Sequence, residues 1–65
     1  MLQNDLKRYR TQKGWTQLEL AQMVGVSRKT INTVENGVFI PSTILALRLA
    51  KALSAKVESL FWEED

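Results

Sequence analysis

The chain has 65 residues, 45% of them hydrophobic and 25% charged, a net charge of +2, and neither histidine nor cysteine. This length and balance are typical of one globular domain that spans residues 1–65. The missing His and Cys remove disulfides, imidazole bases, thiolate nucleophiles and the usual zinc ligands, which argues against an enzyme, a cofactor or a metal site. No apolar run approaches the ~18 residues of a membrane span, so we expect a cytoplasmic protein with no membrane partner.

The charge is unevenly distributed along the chain. Residues 1–56 contain nine Lys and Arg against three acidic residues, whereas residues 57–65 contain four acidic residues and no basic one. A basic body suits a polyanionic partner, although solvated Lys and Arg on an ordinary surface explain the charge equally well.

Helical spacing and end signals predict an all-α chain. Thr16, followed by Glu19, gives a capping-box pattern at the start of one helix, and Gly25 marks its end. Ser27 is a second N-cap, before a helix whose β-branched residues need support from tertiary packing. Pro41 precedes the helix with the broadest apolar face. The predicted helices cover residues 2–13, 17–24, 28–35, 42–53 and 57–62.

Two short helices joined at Gly25 form the most informative pattern. The first carries apolar Leu20, Ala21 and Val24, and the second carries Ile31 and Val34. Such spacing turns one face of each helix toward the other, and a glycine permits the tight turn between them. The sequence therefore predicts a helix-turn-helix unit over 17–36, whose second helix enters the major groove of double-stranded DNA.

The segment 17–37 resembles the phage repressor and Cro type helix-turn-helix family, often called the XRE family. The resemblance covers about residues 4 to 62 and implies a compact five-helix, lambda-repressor-like DNA-binding domain. It also implies a homodimer that acts on a palindromic operator as a sequence-specific transcriptional regulator, which we interpret as a repressor. The residues at the family's offsets are Gln17, Leu20, Ala21, Gly25, Val26, Ser27, Ile31, Glu35, Asn36 and Gly37.

The resemblance places base reading on the outward face of the helix over 28–35, at Arg28, Lys29, Asn32 and Thr33. Arg28 and Lys29 suit the O6 and N7 atoms of guanine, Asn32 suits adenine, and the methyl group of Thr33 suits thymine. Lys29 is equally suited to a phosphate. Simple solvation is the alternative interpretation for Arg28 and Lys29.

Other family roles concern the DNA backbone and the scaffold. Gln17 resembles a glutamine that binds a phosphate at a helix N-terminus, with a solvated polar residue as the alternative. Ser27 is interpreted primarily as an N-cap, whose hydroxyl can also reach a phosphate. Asn36 either contacts the DNA backbone or is only a C-cap. Arg10 and Glu35 match a partly buried structural ion pair. The predicted phosphate-binding residues are Thr16, Gln17, Ser27 and Asn36.

Some residues depart from the family pattern. The loop Val38-Phe39-Ile40 is apolar where the family often carries Lys or Arg, and Ser54 stands where a glycine usually closes the fourth helix. Phe61 and Trp62 are predicted at a dimer interface, with ordinary core packing as the alternative that suits Phe61 better. The apolar loop and acidic tail also suit an alternative function, an antitoxin-type interaction module with a toxin partner.

Overall fold

Five helices and one small sheet make up the computed structural model, which describes all of residues 1–65. No helix has both the length and the apolar composition that crossing a membrane requires. The elements in chain order are β1 (Leu2–Asn4), α1 (Leu6–Gln12), α2 (Gln17–Val24), α3 (Arg28–Glu35), α4 (Thr43–Ala52), α5 (Val57–Leu60) and β2 (Phe61–Glu63).

The helices α2 and α3 have the bounds that the sequence predicts, because local capping fixes both starts. The Thr16 hydroxyl accepts the Glu19 backbone N–H at 3.1 Å, and the Glu19 carboxylate accepts the Thr16 N–H at 2.8 Å. The Ser27 hydroxyl accepts the Thr30 N–H at 3.2 Å. Between the helices, Gly25 has a φ of +77°, a conformation that side chains other than glycine disfavour. The predicted turn is therefore confirmed.

The prediction that the first helix begins at residue 2 is wrong. Residues Leu2–Asn4 are extended, and the side chain of Asn4 ends the strand with two hydrogen bonds. Its Oδ1 accepts the Leu6 N–H at 3.1 Å, and its Nδ2 donates to the Val34 carbonyl oxygen at 3.0 Å. Asn4 therefore provides a hydrogen-bond partner for a free N–H at the start of α1 and ties this end of the helix to α3.

The predicted helix over 57–62 is also too long, and the class all-α needs correction. The helix α5 ends at Leu60, and Phe61 is extended, with φ −133° and ψ 138°. The strands β1 and β2 form a two-stranded antiparallel sheet in which Asn4 is opposite Phe61 and Gln3 is opposite Trp62. The chain is thus a small helical fold in which a short sheet joins the N- and C-terminal segments.

One apolar core holds these elements together. The helices α2 and α3 pack on one another, and α2 also packs on α4. The helix-turn-helix unit therefore lies directly on the core. Arg10 is the only charged residue that is buried as a whole residue, backbone included. The twelve core residues are Leu6, Leu20, Ala21, Val24, Ile31, Val34, Leu45, Leu49, Ala50, Leu53, Leu60 and Phe61.

Candidate nucleic-acid interface

The helix α3 has one face in the core and the opposite face at the surface. Ile31 and Val34 are buried, whereas Arg28 and Lys29 are exposed at the start of the helix. Asn32 and Thr33 are half-buried, and the Thr33 hydroxyl donates to the Thr30 carbonyl oxygen at 3.0 Å. The hydroxyl of Thr33 is thus engaged by the helix backbone, which leaves its methyl group for an outside contact.

The side chain of Gln17 links α2 to α3 through three hydrogen bonds. Its Nε2 donates to Asn32 Oδ1 at 3.2 Å and to Glu35 Oε1 at 3.0 Å. Its Oε1 accepts from Arg28 Nη1 at 3.1 Å. Three of the residues that the sequence assigns to DNA contact therefore form one hydrogen-bonded cluster, Gln17, Arg28 and Asn32.

This cluster is attached to the ion pair between Arg10 and Glu35. Arg10 Nε is 2.6 Å from Glu35 Oε2, and Arg10 Nη2 donates to Glu35 Oε1 at 3.2 Å. The side chains of Arg10 and Glu35 are only 10% and 2% exposed. Arg10 Nη1 also donates to the Trp15 carbonyl oxygen at 2.7 Å. A continuous hydrogen-bonded network thus runs from the segment before α2 to the exposed Arg28.

Sequence reasoning predicted the pairing of Arg10 with Glu35 but missed the bonds from Gln17 to Arg28, Asn32 and Glu35. Gln17 and Glu35 are 18 positions apart, and no local periodicity couples them. Two sequence features are compatible with such a bond: a long polar side chain at the first position of α2 and a carboxylate at the last position of α3. Only the packing of the two helices brings these side chains within reach of each other.

The other predicted phosphate contacts lie at helix ends. Thr16 and Ser27 are exposed N-caps, so their hydroxyl oxygens already accept backbone N–H groups. Asn36 is the exposed C-cap of α3, and its backbone N–H donates to the Asn32 carbonyl oxygen at 3.1 Å. The structure therefore gives Thr16, Ser27 and Asn36 a capping position at the edge of the α2–α3 unit.

The apolar loop Val38-Phe39-Ile40 follows shortly after the C-terminal end of α3. The backbone N–H groups of Val38 and Phe39 both donate to the Thr33 carbonyl oxygen, at 2.9 and 3.1 Å. The side chains of Val38, Phe39 and Ile40 are all exposed. The loop is thus fixed to the second half of α3 and holds three apolar side chains in solvent.

The two aromatic residues predicted at a dimer interface have different positions in the structure. Phe61 is 7% exposed and belongs to the core, in agreement with the core-packing alternative. Trp62 is 38% exposed and follows it in β2. Because successive strand residues point to opposite faces, Trp62 lies on the outer face of the sheet.

Few of the surface cations are neutralised within the chain. The two ion pairs are Arg8–Asp5 and Arg10–Glu35, so Arg28 and Lys29 have no acidic partner within 4 Å. No group of three acidic side chains lies close enough together to hold a metal ion. Arg28 and Lys29 therefore present two unneutralised positive charges at the start of α3.

Comparison with known proteins agrees with this geometry. The helix-turn-helix family model matches residues 6–60. A transcriptional regulator of Bacillus subtilis, YgzD, is 41% identical over 64 residues, which cover 98% of this chain and 97% of that protein. The restriction-modification controller protein C.AhdI from Aeromonas hydrophila has a TM-score of 0.78 and 35% identity, over 83% of this chain and 82% of its own.

A shorter match concerns the antitoxin HipB of Escherichia coli. It is 49% identical over 35 residues, which cover 54% of this chain and 40% of that protein. The full-length matches and the family model are broader, and their family comprises DNA-binding regulators rather than enzymes. The chain belongs to the XRE-type helix-turn-helix family of DNA-binding transcriptional regulators.

Proposed function

We propose that this chain is a sequence-specific repressor that binds a palindromic operator as a homodimer, with α3 in the major groove. The observation that carries the proposal is the hydrogen-bonded cluster of Gln17, Arg28 and Asn32. It holds one side chain from the start of α2 beside two side chains on the exposed face of α3. Such an arrangement suits a ligand that offers a phosphate and base edges at neighbouring positions.

Arg28 and Asn32 have donors or acceptors left for DNA, whereas Gln17 Nε2 already donates to Asn32 and Glu35, so its side chain reaches a phosphate only by exchanging one of these bonds. A guanidinium has five N–H donors, so Arg28 can keep its bond to Gln17 while a bidentate pair forms with guanine O6 and N7. Gln17 lies at the N-terminus of α2, where free backbone N–H groups favour a phosphate. Asn32 suits adenine, and Lys29 suits guanine or a phosphate. Preformed bonds reduce the side-chain entropy that binding would otherwise cost.

The backbone contacts proposed for Thr16, Ser27 and Asn36 rest on their place at exposed helix ends. Their hydroxyl and amide groups lie on the rim of the α2–α3 unit, where the duplex backbone passes a helix seated in the groove. Contacts of this kind position the protein and contribute little to sequence preference.

The experiment is a binding titration with duplexes selected by this protein from a random pool. We expect Arg28→Ala to weaken binding to the preferred duplex by about 1–3 kcal/mol and to relax the preference at one position of each half-site. We expect Gln17→Ala to weaken binding to all sequences through the lost phosphate contact, and to weaken binding to the preferred duplex further, because Arg28 and Asn32 lose their shared hydrogen-bond partner. Binding should also fall steeply as salt rises, because phosphate contacts release counterions.

The matched control is Lys56→Ala, which removes one exposed positive charge before α5. It should leave the selected sequence and the relative affinities for its variants unchanged. If Arg28→Ala and Lys56→Ala altered sequence preference equally, α3 would not be the reading helix.

The proposed homodimer uses an apolar face formed by α4, the loop before it and the start of α5, hereafter the α4 face. A groove of about 280 Å³ opens there between Ile40, Leu47, Val57 and the edge of Phe61. Ile44, one turn before Leu47, is also exposed. A single domain of this size buries a limited fraction of its surface, so covering these side chains with a second copy stabilises both.

We place the centre of the proposed dimer at the α4 face, to which Phe61 contributes only an edge because it is largely covered within its own chain, and the partly exposed Trp62 remains a predicted interface residue. A two-fold axis through this face would relate two α3 helices, as a palindromic operator requires. Half-sites would then be about 34 Å apart along one side of the duplex.

An antitoxin-type module is the second candidate function, supported by the exposed Val38-Phe39-Ile40 loop and the partial similarity to HipB. A toxin partner seated on the loop would cover apolar side chains that lie beside α3.

Co-expression with the product of the adjacent gene distinguishes the two functions. An antitoxin should form a stoichiometric complex that blocks the activity of that product, and Val38→Ser together with Phe39→Ser should weaken the complex. A repressor should show no such complex.

A further inference from the structure

A basic cleft is lined by residues to which the proposed function assigns no role. It opens between the C-terminal end of α2 and the second half of α4, with a volume of about 650 Å³, and we call it the Arg48 cleft. Its charged lining consists of Arg48 and Lys51, and Gln22, Met23 and Gly25 form the opposite side. The Arg48 guanidinium lies beside Gly25, where an added Cβ would be 3.9 Å from Nη1.

The Arg48 cleft combines two unneutralised cations with an apolar side chain. Neither Arg48 nor Lys51 has an acidic partner within 4 Å, because the two ion pairs of the chain lie elsewhere. Met23 is half exposed beside them. A cleft with this lining is complementary to a segment that carries carboxylates next to an aromatic ring, since thioethers pack favourably against aromatic edges.

The chain itself presents such a segment at its C-terminus. Trp62 is partly exposed, and the next three residues, Glu63, Glu64 and Asp65, are exposed carboxylates with no cation within 4 Å. We call residues 62–65 the acidic edge. It is held in an extended form, because the Glu64 N–H donates to the Met1 carbonyl oxygen at 2.9 Å and the N-terminal ammonium donates to the Glu64 carbonyl oxygen at 2.8 Å.

The cleft and the acidic edge lie at different ends of α4. The groove that contains Leu2 and Phe61 is lined by Thr43 and Leu47 from the first half of α4, whereas Arg48 and Lys51 line the cleft at the second half. Pairing with β1 holds β2 near the first half of α4, away from the cleft of its own chain. A second copy is therefore the source of an acidic edge that can enter the cleft.

We propose that the acidic edge of one copy docks in the Arg48 cleft of another copy. The carboxylates of Glu64 and Asp65 pair with Arg48 and Lys51, and the Trp62 ring, which lies on the same face of the extended segment as Glu64, packs on Met23. The contact is heterologous, with a different surface on each partner, and the Arg48 cleft shares no lining residue with the groove of the α4 face. It would join one dimer to the next and allow neighbouring dimers to associate side by side.

The test is sedimentation velocity of the full chain without DNA, at about 50 mM and about 500 mM salt, since screening weakens exposed charge pairs. At the lower salt we expect species larger than the dimer, and at the higher salt we expect them to disappear. Arg48→Glu with Lys51→Glu should raise the dissociation constant of the larger species by about tenfold or more. Glu63→Lys, Glu64→Lys and Asp65→Lys together should do the same.

An equal mixture of the two charge-reversed variants gives the decisive result. The basic edge of one variant then meets the acidic cleft of the other, so the mixture should regain the larger species. Lys7→Glu with Lys56→Glu is the matched control, because it changes the same amount of charge outside the cleft. Thermal unfolding of each variant verifies that it is folded.

The proposal is overturned if the wild-type chain forms no species larger than a dimer at low salt, or if the control reduces association as strongly as the cleft variant. It is equally overturned if the mixture of folded variants fails to associate. None of these outcomes bears on DNA binding, which is measured separately.

Discussion

At the scale of single residues, the ion pair of Arg10 and Glu35 is the most consequential interaction in the structure. We expect Glu35→Gln to lower the free energy of unfolding by about 3–5 kcal/mol, because it leaves the Arg10 charge buried without a counter-ion. A small domain has a total stability of only about 5–15 kcal/mol. Urea unfolding followed by circular dichroism should therefore move to a much lower midpoint.

The other ion pair of the chain provides the control for this prediction. Asp5 and Arg8 are 2.8 Å apart, but their side chains are 38% and 54% exposed. Asp5→Asn should therefore cost at most about 1 kcal/mol. The double variant Arg10→Met with Glu35→Met should regain much of the free energy of unfolding that Glu35→Gln loses, since apolar replacements of buried pairs are often tolerated. Equal costs for Glu35→Gln and Asp5→Asn would contradict the prediction.

The sequence predicts which site residues are exposed, but not the hydrogen bonds between them. The exposed positions of Arg28 and Lys29 follow from helical periodicity, because Ile31 and Val34 occupy the buried side of α3. The bonds from Gln17 to Asn32 and Glu35 join separate helices, so they depend on how α2 and α3 pack. The pairwise geometry of a site of this kind requires the three-dimensional structure.

At the scale of elements, the end of α4 is strained. Ser54 has a φ of +53° and is the only residue other than glycine with a positive φ. The left-handed conformation costs most residues about 1–2 kcal/mol, which glycine avoids. We expect Ser54→Gly to stabilise the domain by about 0.5–1 kcal/mol, because the greater backbone entropy that glycine loses on folding offsets part of the gain.

Thermal unfolding measures this effect sensitively in a domain of this length. A gain of about 1 kcal/mol raises Tm by about 4–8 °C. Ser54→Ala keeps the Cβ atom and therefore the strain, so its Tm should not rise. An equal rise in both variants would assign the effect to loss of the hydroxyl rather than to the backbone conformation.

The elements also differ in how well local sequence determines them. The capping patterns at Thr16 and Ser27 and the proline signal at Pro41 place the starts of α2, α3 and α4 to within a residue of the structure. The strands β1 and β2 have three residues each, too few for a two-residue period to be distinguished from chance. Their pairing joins opposite ends of the chain, so it is set by tertiary structure and not by neighbouring residues.

At the scale of the whole molecule, the two proposed self-association surfaces differ in their physical character. The α4 face is apolar and responds weakly to salt, whereas docking of the acidic edge in the Arg48 cleft depends on charge. Measurements at about 500 mM salt therefore isolate the α4 face. Under those conditions any dependence of stability on protein concentration reports the dimer alone.

At about 500 mM salt, the Tm of the wild-type chain should rise with protein concentration, because a dimer that forms only from folded chains is favoured by mass action. Leu47→Glu should abolish the rise, because it places a charge in the groove between the two copies. Leu47 is 57% exposed in the single chain, so the substitution leaves the core intact. Leu18→Glu is the control, since Leu18 is 50% exposed on α2, outside the α4 face. A Tm that depends on concentration equally in both variants would place the dimer interface elsewhere on the molecule.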